Sequence, residues 1–121
     1  MRTFKPYALL LGTLVTATAC GYPKSAAAPP AVSPATVARS QEKWPGATTE
    51  SITAGREVFL AKCNNCHGYP DLTSEPEDEF PSIVKRMGKK AELSDKQTDD
   101  VLHFVLAARS EATASPTATS K

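Results

Sequence analysis

Two cysteines and a histidine stand close together at Cys63-Asn64-Asn65-Cys66-His67, and their spacing suits one particular chemistry. Within a single helical turn, thiols at positions i and i+3 project to the same side, where each can add to a porphyrin vinyl group and form a thioether. His67 follows directly, so its imidazole can give the iron a nitrogen ligand. The motif therefore predicts one covalently attached haem c, held by Cys63 and Cys66 and ligated by His67.

Two other kinds of site use the same cysteine spacing. A redox dithiol of the thioredoxin type needs a preceding strand and a helix that begins at its first cysteine, whereas Cys63 ends a helical pattern. A zinc site needs four ligands, and the chain offers only the three motif residues, His103 and the distant Cys20 as candidates of the usual kind. We therefore favour haem attachment over both alternatives.

The second axial position of the iron has one leading candidate. Once an N-terminal signal is removed, Met87 is the only methionine, and a thioether is a usual partner of histidine in electron-transfer haems. Met87 also fits an apolar helical stripe as core filler, and His103, expected on the surface, is a rival ligand. With both axial positions filled, the iron has no open position for substrate. The protein is therefore predicted to carry electrons and not to be an enzyme.

The first nineteen residues have the features of an export signal. Arg2 and Lys5 precede an apolar run over residues 7–15, which is too short to span a bilayer comfortably. This segment ends in small residues followed by Cys20, which leaves two alternatives open. The end is either an ordinary cleavage site that releases a soluble periplasmic protein, or a lipobox-like site at which Cys20 is lipidated.

Lipidation is favoured because an unpaired cysteine in an exported protein needs an explanation, and several acyl chains would anchor the chain stably. We expect the mature protein on the periplasmic side of a bacterial membrane. Residues 20–47 are rich in Ala, Pro and Ser and are expected to form a flexible linker, with Trp44 packing against the domain. Residues 48–109 form the predicted domain, and residues 110–121 a disordered tail.

Hydrophobic periodicity predicts about three helices in that domain and no strand, which makes the fold all-α. The first runs from about Ser51 to Cys63, the second starts near Asp78 and ends with Gly88 as its cap, and the third begins at Ser94. Their expected buried positions are Ile52, Gly55, Phe59 and Leu60, then Phe80, Ile83, Val84 and Met87, then Val101, Leu102, Val105 and Leu106. About sixty residues make a marginal core, which a bound haem would enlarge.

The charge of the whole chain is close to neutral, at +1. No basic patch is interleaved with aromatic residues, so nucleic-acid binding is not expected. Lys85, Arg86, Lys89 and Lys90 flank Met87, downstream of an acidic cluster over residues 75–79. A cationic rim would steer an acidic redox partner, but the sequence alone favours the simpler view that these charges are solvated helix ends.

The pattern Gly55-x-x-x-Phe59-x-x-x-Cys63-x-x-Cys66-His67 resembles the first helix of class I c-type cytochromes, and residues 100–105 resemble their last helix. The resemblance implies that these two helices cross near the glycine, with Gly55 and Phe59 against Val101 and Phe104. Residues 79–94 are similar to the short cytochromes that accompany periplasmic dehydrogenases, notably sulfite dehydrogenases.

The expected function is that of a periplasmic electron-transfer c-type cytochrome with one haem ligated by His67 and Met87. It would exchange electrons with redox partner proteins, either as a monomer or as the cytochrome subunit of a periplasmic dehydrogenase complex. A less favoured alternative is a five-coordinate haem protein that senses gases or acts as a peroxidase.

Overall fold

The computed structural model describes residues 27–114. This part of the chain forms four α-helices and one 3₁₀ turn, and no strand is found within it. The helices are α1 (Pro34–Lys43), α2 (Thr49–Lys62), α3 (Phe80–Lys90) and α4 (Asp95–Ala114), and the 3₁₀ turn is Glu77–Glu79. The all-α prediction is confirmed. The predicted signal segment, Cys20 and residues 115–121 lie outside the described residues.

Helices α2 and α4 cross at a glycine, and this crossing is the centre of the fold. Gly55 is buried, and a Cβ atom there would overlap the backbone carbonyl of Asp100 on α4. One turn further along, the Phe59 ring meets the Phe104 ring edge-on, with 5.3 Å between centroids. Phe104 is fully buried. The contact expected between the first and last predicted helices is therefore confirmed.

The ends of α2 are set by local hydrogen bonds. Thr48 and Ser51 form a capping box, in which the Thr48 hydroxyl accepts from the Ser51 amide at 3.0 Å and the Thr48 amide donates to the Ser51 hydroxyl at 2.9 Å. At the other end Cys63 is the C-cap, and its amide donates to the Phe59 carbonyl at 2.9 Å. The first cysteine of the motif therefore lies at the C-terminal end of helix α2.

Helix α3 does not end at Gly88, and the sequence prediction is wrong on this point. The helix continues to Lys90, and Glu92 adopts a positive φ of 56°. The Leu93 amide then donates to the Gly88 carbonyl at 2.9 Å and the Glu92 amide to the Lys89 carbonyl at 3.3 Å, which is a Schellman ending. Gly88 instead allows α3 to lie close to α4, since a Cβ atom at this position would be only 2.7 Å from the Thr98 Oγ1 atom of α4.

Helix α4 begins as predicted and ends later than predicted. The Gln97 amide donates to the Ser94 hydroxyl at 3.2 Å while the Ser94 amide donates to the Gln97 Oε1 atom at 3.0 Å, which confirms the expected capping box. The helix then runs on to Ala114, so residues 110–114 are helical and not part of a disordered tail as predicted. The additional turn is used for a contact with α1.

Helix α1 corrects the expectation that all of residues 20–47 would be a flexible linker. Ser33 caps it, and its two most buried side chains, Thr36 and Ser40, are polar. The Ser40 hydroxyl donates to the Thr36 carbonyl at 2.8 Å, and the Ser33 hydroxyl donates to the Glu111 carboxylate of α4 at 2.9 Å. Helix α1 buries small polar side chains beside a half-buried Val37. It therefore has no wide apolar stripe from which an amphipathic helix could be predicted. Trp44, which follows α1, packs against the core as expected.

The contact between α1 and α4 gives a pH-dependent prediction. Hydrogen bonds from the Thr36 and Ser33 hydroxyls lower the pKa of Glu111 below its ordinary value of 4.5. A depressed folded-state pKa adds stability above the unfolded pKa and loses it as pH falls through the folded one. We therefore expect amide-exchange protection of α1 to fall on acidification below about pH 4.5. In Glu111→Gln this acid-dependent loss should be clearly smaller, and what remains is expected from the ion pair of Lys43 on α1 with Glu77. Glu42→Gln, at an exposed position on α1, is the matched control and should keep the full loss.

Candidate functional site

The motif residues 63–67 form a compact turn that prolongs the path of α2. Cys63 has helical backbone angles of φ −79° and ψ −7°, and the Asn65 amide donates to the Lys62 carbonyl at 3.4 Å. Gly68 closes the turn with a φ of +76°, a left-handed conformation that favours glycine. Cys63 is half-buried, Cys66 is exposed, and both thiols are free. The motif thus lies in a single turn, and attachment of a haem by its two thiols remains a prediction.

The position of Cys63 opposes the redox-dithiol alternative. Reactive dithiols place their first cysteine at a helix N-terminus, where the thiolate is stabilised and its pKa is lowered. Cys63 lies at the C-terminus of α2, and burial raises the pKa of its thiol. Its geometry therefore favours a neutral thiol over a nucleophilic thiolate.

The zinc alternative lacks a set of converging ligands. Within residues 27–114, no group of three or more His, Cys, Asp or Glu side chains is placed to hold a metal ion. Cys63, Cys66 and His67 are adjacent in sequence without forming such a group. In haem attachment the cysteines bind the porphyrin and not the iron, so convergence of all three residues on one ion is not required.

A cavity of about 400 Å³ lies beside the motif. Cys63, Cys66 and His67 line it together with Met87 of α3, so the four residues predicted to hold the haem share one site. Most of the remaining wall is apolar and is contributed by Phe59, Leu72, Phe80, Ile83, Val84, Leu93, Val101 and Val105. Volume and lining are both those of a typical cofactor site, which is concave, mainly apolar and supplied with few polar groups.

The residues present fit a covalently held haem. Two thiols stand at one end of an apolar cavity, an imidazole follows them, and the same cavity receives a thioether. Cys66 and His67 are exposed whereas Met87 is half-buried, so the motif side of the cavity opens at the protein surface. Four charged side chains, Lys62, Lys90, Asp71 and Glu75, also line the cavity.

His103, the rival axial ligand, lies elsewhere. It is not among the residues lining the cavity, and its ring faces the loop that joins α1 to α2. A Cβ placed on Gly46 would lie 3.5 Å from the His103 Cε1 atom, and Gly46 has a φ of +86°. On α4, cavity-lining Val101 and Val105 stand two positions to either side of His103, so its side chain points away from them. The structure therefore brings Met87, and not His103, to the motif.

Two further residues, which the sequence pattern did not indicate as part of the site, shape one wall of the cavity. The Tyr69 ring stacks on Phe59 with centroids 5.6 Å apart, and its hydroxyl donates to the Leu60 carbonyl at 3.2 Å. Arg109 donates to the Leu72 carbonyl at 2.8 Å, and its guanidinium lies 5.5 Å from the centre of the Phe80 ring. Both hold the loop that forms one wall of the cavity against the helices.

A signal for one of these residues was present in the sequence. Arg109 follows Val105 by four positions, so it lies on the cavity side of α4, one turn beyond the predicted apolar stripe. Its role as a loop anchor depends on a partner far away in sequence. Tyr69 gives no periodic signal, because it stands in a loop.

Comparison with protein-family models, curated proteins and solved structures returned no match for this chain. None of the helices within residues 27–114 has both the length and the apolar character needed to cross a membrane.

Proposed function

We propose that this protein is an electron-transfer cytochrome of the c type with a single haem. Cys63 and Cys66 would hold the haem through thioethers, and His67 and Met87 would be its axial ligands. The observation that carries the proposal is the convergence of these four side chains on one apolar cavity. Three of them come from a contiguous motif, whereas Met87 comes from a different helix.

The residues of the site would have separate roles in electron transfer. A bound haem would supply a centre that gains and loses one electron. The thioethers would fix its position, and the apolar wall that includes Phe59 and Val101 would shield it from water. Axial donation by a thioether raises the reduction potential relative to a second nitrogen ligand. With His67 and Met87 as its ligands, the haem would have no open position for substrate, so electrons would pass through the exposed side of the site without ligand exchange.

The location and partners belong to the same proposal. The export signal over residues 1–19 and a lipid anchor at Cys20 would hold the protein on the periplasmic side of a bacterial membrane. There it would exchange electrons with redox proteins, free in the periplasm or as a subunit of a dehydrogenase complex. Co-purification with a larger enzyme at stoichiometric levels distinguishes the second arrangement from the first.

Covalent attachment is tested by replacing the cysteines of the motif. Expressed in a host with haem-attachment machinery, the mature protein should gain the mass of one haem. Cys63→Ser/Cys66→Ser should lose this added mass completely, since no thioether can form. Cys20→Ser is the matched control, because it removes the third cysteine and should lose only the lipid. Intact-mass spectrometry of the three proteins is the measurement, and haem retained by the double variant would refute the assignment.

A further inference from the structure

One side chain of α4 reaches both the loop between α2 and α3 and the first residue of α3. Arg109 donates from Nη1 to the Leu72 carbonyl at 2.8 Å, and its guanidinium lies 5.5 Å from the centre of the Phe80 ring. Within residues 27–114, this is the only hydrogen bond that joins residues 71–76 to one of the four α-helices. Arg109 therefore connects three elements around the cavity.

The part of the loop that Arg109 holds is ordered by its own hydrogen bonds. The Asp71 Oδ1 atom accepts from the Thr73 amide at 2.8 Å and from the Thr73 hydroxyl at 2.7 Å. The Ser74 hydroxyl donates to the Asp71 carbonyl at 2.8 Å. Because these local bonds stabilise the turn, a single contact at the Leu72 carbonyl can fix the position of the whole turn.

The two groups that Arg109 contacts belong to the wall of the candidate haem site, although Arg109 itself does not line the cavity. Leu72 and Phe80 line it and are only 8% and 4% exposed. Arg109 is half-buried, so its guanidinium loses part of its hydration. A carbonyl oxygen and an aromatic face are suitable partners for such a cation. The contact thus determines where the Leu72 side chain lies relative to the cavity.

We propose that Arg109 is a positioning residue for electron transfer, which acts through Leu72 to set the reduction potential of the haem. This inference rests on the proposed function and names a residue that tunes it. Apolar surroundings disfavour the oxidised haem, because that form carries one more positive charge than the reduced form. By holding the Leu72 side chain in the cavity wall, Arg109 keeps water away from the site and raises the potential.

A direct effect of the Arg109 charge is the main alternative. A cation near the haem would also disfavour the oxidised form, by Coulomb repulsion. The two effects respond differently to removal of the Leu72 side chain. An effect that passes through Leu72 disappears when that side chain is truncated, whereas an effect of charge alone remains. A double-mutant cycle therefore separates the two.

The test uses the holoprotein matured in a host with haem-attachment machinery and carrying Cys20→Ser, so that it stays in solution. A spectrum first verifies haem attachment, and potentiometric titrations then compare the parent protein with Arg109→Gln, Leu72→Ala and the double variant. Arg56→Gln is the matched control. Arg56 is also a half-buried helical arginine that donates to a backbone carbonyl, that of Pro29 at 3.4 Å, but its contacts lie outside the cavity wall.

The four variants have different expected potentials. At a fixed applied potential, Arg109→Gln should lower the ratio of reduced to oxidised protein about tenfold, which corresponds to about 59 mV for one electron. Leu72→Ala should lower the ratio by a similar factor, and the double variant no further than Leu72→Ala alone. Arg56→Gln should change the ratio much less than Arg109→Gln does.

Amide hydrogen exchange of the holoprotein measures the positioning itself. In Arg109→Gln, the amides of residues 71–75 should exchange faster, while those at the crossing of α2 and α4 stay protected. Loss of protection throughout the domain would make Arg109 a general structural residue and would overturn the inference.

Three results of the titrations would contradict this role of Arg109 and leave the haem assignment intact. They are additive effects of Arg109→Gln and Leu72→Ala, an unchanged potential in Arg109→Gln, and an equal shift in Arg56→Gln. A chain without haem after maturation would instead overturn the proposed function, and this inference with it.

Discussion

Gly55→Ala is expected to lower the free energy of unfolding of the holoprotein by about 2 kcal/mol or more. The added Cβ would overlap the Asp100 carbonyl and approach the Val101 amide nitrogen to 2.9 Å. These are backbone atoms of α4, so no side-chain rotation relieves the overlap and the two helices must separate. Alanine favours the helix by up to about 1 kcal/mol over glycine, which offsets part of the loss. Denaturant unfolding of both proteins measures the difference.

Gly88→Ala is the matched control for this prediction. Gly88 is also a buried helical glycine that faces α4, but its nearest obstacle is the Thr98 hydroxyl at 2.7 Å, which belongs to a side chain that can change rotamer. We expect a loss of about 1 kcal/mol or less there. Equal losses at the two glycines would show that the crossing of α2 and α4 is not the rigid centre of the fold.

Met87→Ala is expected to have the largest effect on the redox properties. Loss of the thioether would open an axial position, lower the reduction potential and let carbon monoxide bind rapidly to the reduced protein. Reduced-minus-oxidised spectra and a potentiometric titration measure these changes. If Met87 only filled the core, Met87→Ala would lower the stability of the protein and leave its spectrum unchanged.

Two control variants isolate the role of the sulfur atom. Ile83→Ala removes a half-buried side chain that lines the same cavity one turn earlier on α3, so it creates space without removing a ligand. His103→Ala removes the rival ligand, which faces Gly46. Both should keep the parent spectrum and resist carbon monoxide. If His103→Ala changes the spectrum and Met87→Ala does not, the axial assignment is wrong.

The parts of the fold that sequence predicted are those governed by local pattern. The capping box at Ser94 and the stripe through Val101 and Val105 depend on neighbours within a turn or two, and they predicted the start and the buried face of α4 correctly. Helix α1 escaped prediction because its docking depends on Ser33 meeting Glu111, a contact between residues 78 positions apart. The end of α3 was misplaced because Gly88 is required for its approach to Thr98 and not for a cap.

In the candidate site, too, the local motif could be predicted from sequence, whereas the contacts between distant residues could not. Cys63, Cys66 and His67 belong to one contiguous motif, so haem attachment could be predicted from them without a structure. The closure of the loop by Arg109 could not be predicted, because it depends on the Leu72 carbonyl, 37 residues away. Met87 lines the same cavity as the motif residues, and its bond to iron remains a prediction.

According to the proposed function, this chain carries one covalently attached haem whose two axial positions are both filled by its own residues. The most direct measurement is the optical spectrum of the mature protein in both redox states, with carbon monoxide then added to the reduced form. We predict the spectrum of a six-coordinate, low-spin c-type haem that carbon monoxide leaves unchanged. Absence of haem, or rapid carbon monoxide binding by the parent protein, would contradict the claim.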